Sequence, residues 1–283
     1  MSFELLEPPT LDEAVRLLDP DDTTGVRAIA GGTALSLLLQ LRVFRPTRLV
    51  SLRRIDGELR GVHVESEGSL RIGALTTLTE LERSPVLAIA EPVLSRALHT
   101  LSNVRVRNVA TVGGHLAHAD PHMDLPPILV TLGARVRAVS PRGERWIDVA
   151  DLIVGYYETS LAGDELIAEL HVPVQPAGTR AAYAKFCALS ADDWPAVGVA
   201  VRLQHEDGKI ADARIVVGGA TDHPTRMHAA EAAVCGTSGD ARAFAAAADA
   251  AAAEVETLGD LRGSAPYKRE MVRVHVRRAL ESA

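Results

Sequence analysis

Two Gly-Gly turns constrain this chain more than any other feature. Each follows an apolar, strand-like run: Gly31-Gly32 in VRAIAGGTALSLLLQLR (Val26 to Arg42) and Gly113-Gly114 in VRVRNVATVGGHLAHADPHMDLPP (Val104 to Pro127). In the first, Val26 to Ala30 reads as a strand, and Thr33 can cap a helix running through Leu35, Leu38, Leu39 and Leu41. Strand, glycine turn, helix is the order that lets backbone N–H groups hold a phosphate. Glycine permits close approach of the main chain, and a helix start offers unpaired donors at the positive end of a dipole. The turn matches neither GxGxxG nor GxxxxGK[ST], so neither of those nucleotide folds is indicated.

The second stretch adds His115, His118 and His122 with Asp120 and Asp124. Three imidazoles at that spacing can ligate a metal, with carboxylates filling the shell. Against this, Gly113-Gly114 and Asp120-Pro121 are expected to interrupt any regular element that would fix the ligands. A nucleophilic hydrolase lacks its GxSxG elbow. The remaining option treats the second turn like the first. Thr111 would bond a phosphate through its hydroxyl, Gly113 and Gly114 would offer amides, and Asp124 would accept from a ligand hydroxyl or ring N–H. Two cradles about eighty residues apart fit a pyrophosphate held from both sides, which favours a dinucleotide such as FAD over a mononucleotide.

Composition narrows the classes. The 283 residues, 47% apolar and 24% charged, suit one large or two ordinary globular domains. A net charge of −7 argues against a nucleic-acid partner, which needs a basic face. Cys187 and Cys235 are too far apart for a cluster or a four-thiolate zinc site and are expected as buried free thiols. With no basic and apolar leader at the start and no apolar run near twenty residues, a cytoplasmic location is expected.

Thr10 with Glu13, and Thr77 with Glu80, have capping-box spacing for two helices. Arg48–Leu52, Ser69–Ala74, Ala134–Val139 and Glu165–Val172 read as strands. Pro85 to Leu101 reads as a helix interrupted near Pro92, and Leu125 to Gly133 as a helix with prolines in its first turn. Pro173 to Gly178 has the composition of a linker. Beyond it, Ala181–Leu189, Ala196–His205 and Lys209–Gly218 read as strands, the last two joined by Glu206-Asp207-Gly208 as a hairpin, followed by three helices. The last helix, Tyr267 to Glu281, includes Lys268 and His275 among its cations and is expected to turn them to solvent or to a partner.

RAIAGGTALSLLLQLR and RNVATVGGHLAHADPHMDLPP closely resemble AGG[TH]xLLxxxK and IRNxxT[IV]GGNLAxADPxxDLPP, the paired signatures of the FAD-binding medium subunit of molybdenum hydroxylases. FELLEPPTLDEAVRLL, ARIVVGGATDHPTRMHAAEAAVCG and GSAPYKREMVRVHVRRAL extend the resemblance over the whole chain. It implies an α/β (α+β) architecture: a two-lobed FAD-binding domain of the vanillyl-alcohol-oxidase type over 1–175 (lobes about 1–56 and 57–175), then a small C-terminal domain over 178–283 with an antiparallel sheet and helices.

By the same resemblance, Ala28, Ile29, Ala30, Gly31, Gly32, Thr33, Ala34 and Leu35 would form the first FAD cradle, with the amides of Ala30 to Ala34 on the pyrophosphate. Thr111, Val112, Gly113, Gly114 and His115 would form the second. Leu101 would lie near the isoalloxazine or adenine edge, His118 and Asp124 beside the flavin, and Ile167 against the ring. Lys185 matches a flavin-side lysine of the larger relatives. His115 departs from the usual Asn or Asp, Ala34 from a position that is often polar or Asp/Ser, and Phe186 to Ser190 from the common Arg-rich version. The lack of a four-cysteine insertion argues against the benzoyl-CoA reductase branch. The implied function is electron transfer from 2Fe-2S clusters on a small subunit, through FAD, to an external acceptor. Molybdopterin would sit on a large subunit, and the assembly would be a dimer of heterotrimers, with any membrane association made through partners. The rival readings are a cofactor-free scaffold or assembly protein and a self-standing FAD-dependent oxidase.

Overall fold

The computed structural model describes residues 3–22, 24–55, 57 and 59–283. The expected lobe boundary falls at Asp56, which lies outside the described residues. A small parallel sheet opens the chain: β1 (Glu4–Leu6), β2 (Val26–Ile29) and β3 (Arg48–Ser51), in the order β1-β3-β2. Between its strands lie α1 (Leu11–Arg16), capped by the Thr10 hydroxyl on Glu13 N–H, and α2 (Thr33–Gln40). The cap of α2 is Gly32, left-handed at φ 71°, so Thr33 is the first helical residue and not the cap its sequence position suggests. Glycine enters that conformation without the clash a side chain would bring.

The middle of the chain supplies β4 (Val62–Val64) and β5 (Leu70–Gly73), then α3 (Leu78–Glu82), α4 (Pro85–Ala90), α5 (Pro92–Leu98), α6 (Val104–Arg107), α7 (Val112–His118) and α8 (Leu125–Leu132). It closes with β6 (Arg135–Ser140), β7 (Gly143–Asp148), α9 (Val149–Leu152), the small hairpin β8 (Ile153–Gly155) and β9 (Glu158–Thr159), and β10 (Leu166–Val172). Five strands pair antiparallel in the order β4-β5-β10-β6-β7. The box at Thr77 and Glu80 forms in both directions, and Pro92 separates α4 from α5 as anticipated. One expectation is overturned. Gly113-Gly114 does not interrupt regular structure, because α7 runs through both glycines from its Thr111 cap.

The C-terminal sheet has the order β11 (Thr179–Phe186), β12 (Val197–Glu206), β13 (Lys209–Gly218), β14 (Thr225–Arg226), all antiparallel. Asp207 and Gly208 both have positive φ, 49° and 75°, as a two-residue hairpin turn matching the strand twist requires. One face is covered by α10 (His228–Val234), α11 (Ala241–Glu254) and α12 (Ala265–Ser282). Lys268 and His275 of α12 are buried, not solvated, and Cys187 and Cys235 are half-buried and exposed, not core thiols.

The other face of that sheet packs on α8. All eight residues of LPPILVTL are buried, the pattern of a helix enclosed on every side. Ile128, Leu129 and Leu132 share one core with Ile72 and Val136 of the central sheet and with Ala200 and Val216 of the C-terminal sheet. Each such side chain contributes about 1.5–3 kcal/mol by leaving water, so α8 joins the two halves through apolar burial.

Candidate functional site

The first glycine turn is rich in free donors. Among the described residues, the N–H groups of Ala30, Gly31, Gly32, Thr33, Ala34 and Leu35 find no acceptor in the protein. Ala28 to Leu35 are all half-buried, and no side chain caps α2. Six consecutive unpaired amides ending at a helix start suit an anion that accepts from several of them.

The second turn differs from the first, which corrects the expectation that Gly113 and Gly114 offer equivalent amides. Val112 N–H donates to Thr76 O, Gly113 N–H to Ala74 O at 2.8 Å, and His115 N–H to Thr111 O. Gly114 N–H donates to the Thr111 hydroxyl at 3.2 Å, so that oxygen serves as the helix cap. The two glycines serve separate purposes. A Cβ on Gly113 would come within 2.7 Å of Ala74 Cβ, so its absence allows the close contact. On Gly114 it would meet only Thr111 Oγ1 and, at 3.8 Å, Ala30 Cβ. Gly114 is exposed between buried Gly113 and half-buried His115 and leaves its side of the turn open.

The two turns touch. A Cβ on Gly31 would lie 1.9 Å from Val109 O, so only glycine lets β2 and α2 settle on the chain entering α7. Ala30 lies close to Gly114 as well, so the first turn packs on the start of α7. His118, at the last turn of α7, stacks at a tilt on Tyr157, 5.1 Å between centroids. His115 Nε2 is buried with no partner. Burial, followed by the nearby His118, pushes its pKa down to about 3, so it is neutral and free to accept or donate one hydrogen bond. Burial also lowers the His118 pKa, opposed by Asp120.

A second group forms where α8 meets the C-terminal sheet. Tyr183 and Lys185 are two apart on β11 and share a face; Gly198 on β12, opposite Lys185, leaves room for the Tyr183 ring. Both reach Asp124 at the head of α8: Tyr183 OH donates to Oδ1 at 2.8 Å and Lys185 Nζ to Oδ2 at 3.1 Å. Lys185 Nζ also donates to Thr100 O at 2.9 Å. Burial raises the Asp124 pKa, and Lys185 and Tyr183 oppose it. Lys185 lines a cleft of about 300 Å³ with Tyr183 and with Val93, Arg96, Ala97 and Thr100 along α5.

Leu101 and Ile167 are buried in the central core, Ile167 beside an irregularity in the β10 pairing. His122 is held between Asp120 (3.0 Å) and Asp260 (2.7 Å). Among the described residues no group of three His, Cys, Asp or Glu side chains is arranged to hold a metal ion. Sequence reasoning missed Tyr183, whose spacing from Lys185 could have revealed it, and Tyr157 and Thr100, which only the tertiary fold brings in.

Known proteins agree with this geometry. The family described as the FAD binding domain in molybdopterin dehydrogenase matches residues 1–175, and the CO dehydrogenase flavoprotein C-terminal domain matches residues 181–283. The 6-hydroxypseudooxynicotine dehydrogenase complex subunit alpha of Paenarthrobacter nicotinovorans is 34% identical, covering 100% of this chain and 94% of its own. The carbon monoxide dehydrogenase medium chain of Hydrogenophaga pseudoflava is 33% identical over 99% of this chain and 96% of its own. A solved carbon monoxide dehydrogenase from the same organism superposes with TM-score 0.94 at 35% identity, covering 100% and 97% of the two chains. Quinoline 2-oxidoreductase from Pseudomonas putida 86 gives 0.92 at 29% identity, covering 100% and 97%. Two contacting glycine turns, a row of free amides and full-length likeness in sequence and structure place this chain among the FAD-binding medium subunits of the molybdenum hydroxylases.

Proposed function

We propose that this chain is the electron-transfer subunit of a molybdenum-containing dehydrogenase, taking electrons from 2Fe-2S clusters on a small partner subunit and passing them through FAD to an external acceptor. Molybdopterin sits on a large subunit in this reading, and the complex is a dimer of heterotrimers. Residues 1–175 act as the FAD-binding domain and 178–283 as the C-terminal domain. The location is cytoplasmic; among the described residues no helix is long and apolar enough to cross a membrane.

The observation that carries the reading is the run of six unpartnered N–H groups from Ala30 to Leu35, lying against the second turn at Gly31 and Val109. Those donors suit a pyrophosphate. The open side of Gly114 and the buried, unpartnered Nε2 of neutral His115 would complete the grip. When bound, FAD supplies the capacity to take up electrons and release them one or two at a time. The chain's own residues bind and orient. His118, Leu101 and Ile167 would shape the ring's surroundings. Lys185, fixed by Asp124 and Thr100, brings a directed N–H donor whose charge is largely balanced by its partner.

The absorption spectrum tests the reading. Purified chain, alone or with its partners, is expected to show flavin bands, and apoprotein to regain them on incubation with FAD. A colourless protein after reconstitution refutes it and favours the scaffold. The chain alone should show only slow diaphorase-like turnover; turnover of substrate without partners would make it a self-standing oxidase.

A further inference from the structure

Several features beside His118 are unused by cofactor binding, and they converge on one surface. The hairpin β8–β9 turns on two tyrosines, Tyr156 and Tyr157. Tyr157 is left-handed at φ 55°, a region normally left to glycine or asparagine, and its N–H is held by Ala119 O, itself at φ 52°. Strain kept at a turn tip in order to display an aromatic ring is a mark of function. Both tyrosines are about half exposed.

Alongside stands the turn Asp260 to Gly263, closed by backbone hydrogen bonds in both directions. Its tip, Leu261, is fully exposed. Its base is rigid: Asp260 Oδ2 accepts from buried Lys268 at 2.8 Å and from His122 Nε2 at 2.7 Å, while Oδ1 accepts from Arg262 N–H. With a carboxylate against each ring nitrogen, His122 ties this turn to Asp120, which in turn accepts from Tyr157 OH at 3.0 Å. Arg262 lies 5.1 Å over the ring of exposed Trp194. Tyr156 adjoins Tyr157 in the turn, and the chain of contacts from Tyr157 through Asp120 and His122 to Asp260 links the two turns.

An ionic frame, clamped from both halves of the chain, therefore presents Tyr156, Tyr157, Trp194, Leu258, Leu261 and Arg262. Tyr156, Tyr157 and Leu261 stand on turn tips, projecting where the concave sites that hold small molecules recede. Aromatic side chains with one arginine are the composition of protein-interface anchors. The charges around them are acidic: Glu158 and Asp192 are exposed, and Asp222 is partly exposed beside His223. We propose that this seam is a preformed docking surface for a partner subunit that presents an apolar socket for Leu261 ringed by lysine and arginine. The inference rests on the reading of the chain as one subunit of a complex and adds where, and with what chemistry, a partner attaches.

Co-expression of the tagged chain with the molybdenum-binding and iron–sulfur subunits tests it. Leu261→Asp and, separately, the double variant Glu158→Lys/Asp222→Lys are purified beside the wild type. Both should recover one partner subunit at least tenfold less well, with unchanged flavin content and a near-unchanged melting temperature, since Leu261 and Glu158 are exposed and Asp222, partly exposed, pairs with its surface neighbour His223. Full recovery of every subunit by both variants overturns the docking surface. So does intact assembly with a raised KM for the electron acceptor, which would make the seam a small-molecule site. A wild-type chain that recovers no partner refutes the subunit reading itself, and the docking surface with it.

Discussion

Lys185→Met removes a charge from one of the best-enclosed ion pairs in the molecule. Lys185 and Asp124 keep 8% and 4% of their side-chain surface, 3.1 Å apart. At an effective dielectric of about 20 their attraction is about 5 kcal/mol before desolvation is counted. Methionine keeps most of the stem, so little cavity forms, but Asp124 is left buried with Tyr183 as its one side-chain partner. Breaking a buried pair in this way costs about 3–5 kcal/mol, and that loss is expected near pH 7.5. The pH dependence identifies the cause. Burial already raises the Asp124 pKa against the pull of Lys185, and the variant raises it further. The folded state then holds a proton that the unfolded chain gives up, so the variant's stability falls as pH rises from the ordinary carboxylate range. The slope approaches about 1.4 kcal/mol per pH unit. Urea unfolding followed by Trp146 and Trp194 fluorescence between pH 5 and 8 should show the smallest loss at the acid end. Asp124→Asn combined with Lys185→Met should recover part of the loss, the excess measuring the coupling. A loss under about 1 kcal/mol, flat with pH, would mean that the pair does not hold the two halves together.

Gly114→Val fills the open side of the turn, and its new Cβ would stand 2.9 Å from Thr111 Oγ1, the cap of α7, so a small fall in melting temperature is expected with the fold retained. Flavin per protein is expected to fall at least tenfold, well beyond any unfolded fraction at the assay temperature, and normal flavin content would remove the second turn from the site. Glu91 is a buried carboxyl whose pKa burial raises from 4.5 to about 7. The folded state binds its proton more tightly, so stability contributed below pH 4.5 is lost as pH rises to about 7, up to about 3 kcal/mol. Glu91→Gln should flatten the wild-type stability profile over that window, measured by melting temperature against pH; parallel profiles would show that Glu91 is not the group responsible.

Local chemistry made much of this fold legible. Thr77 with Glu80, Pro92 between two helices, and Asp207-Gly208 in a hairpin each act within a few residues, and each formed as read. What escaped the sequence was set by distant partners. Lys268 reads as a solvated helix cation, yet Gly219 O and Asp260 hold it in the core, and nothing near position 268 announces either. The exposed-looking sequences of β7 and β8–β9 carry no apolar alternation, since β7 is an edge strand with one buried residue. Gly113-Gly114 misled for a different reason. Glycine is a poor helix former by about 1 kcal/mol, but here close packing on Ala74 favours it, and propensity yielded to tertiary contact.

The two glycine pairs look alike in sequence and do different work, and the difference follows from where their N–H groups go. After β2 the chain leaves its sheet at Ile29 and finds no acceptor until α2 is under way, so six donors remain for a ligand. Before α7 the chain is still bonded to Ala74 and Thr76, so the second turn cannot supply a matching row. What it supplies is position. Its backbone carries Val109 O against Gly31, fixing the first turn, and leads into the helix that bears His115 and His118. In the proposed reading one turn would bind and the other place, and a side chain at Gly31 would push the two apart. The same logic extends to His122 and Asp124, four and six residues past His118 at the end of α7: each ties the stretch that follows α7 to the C-terminal half, His122 through Asp260 and Asp124 through Lys185. The half that carries the free amides is therefore held in shape by the half that carries none of them.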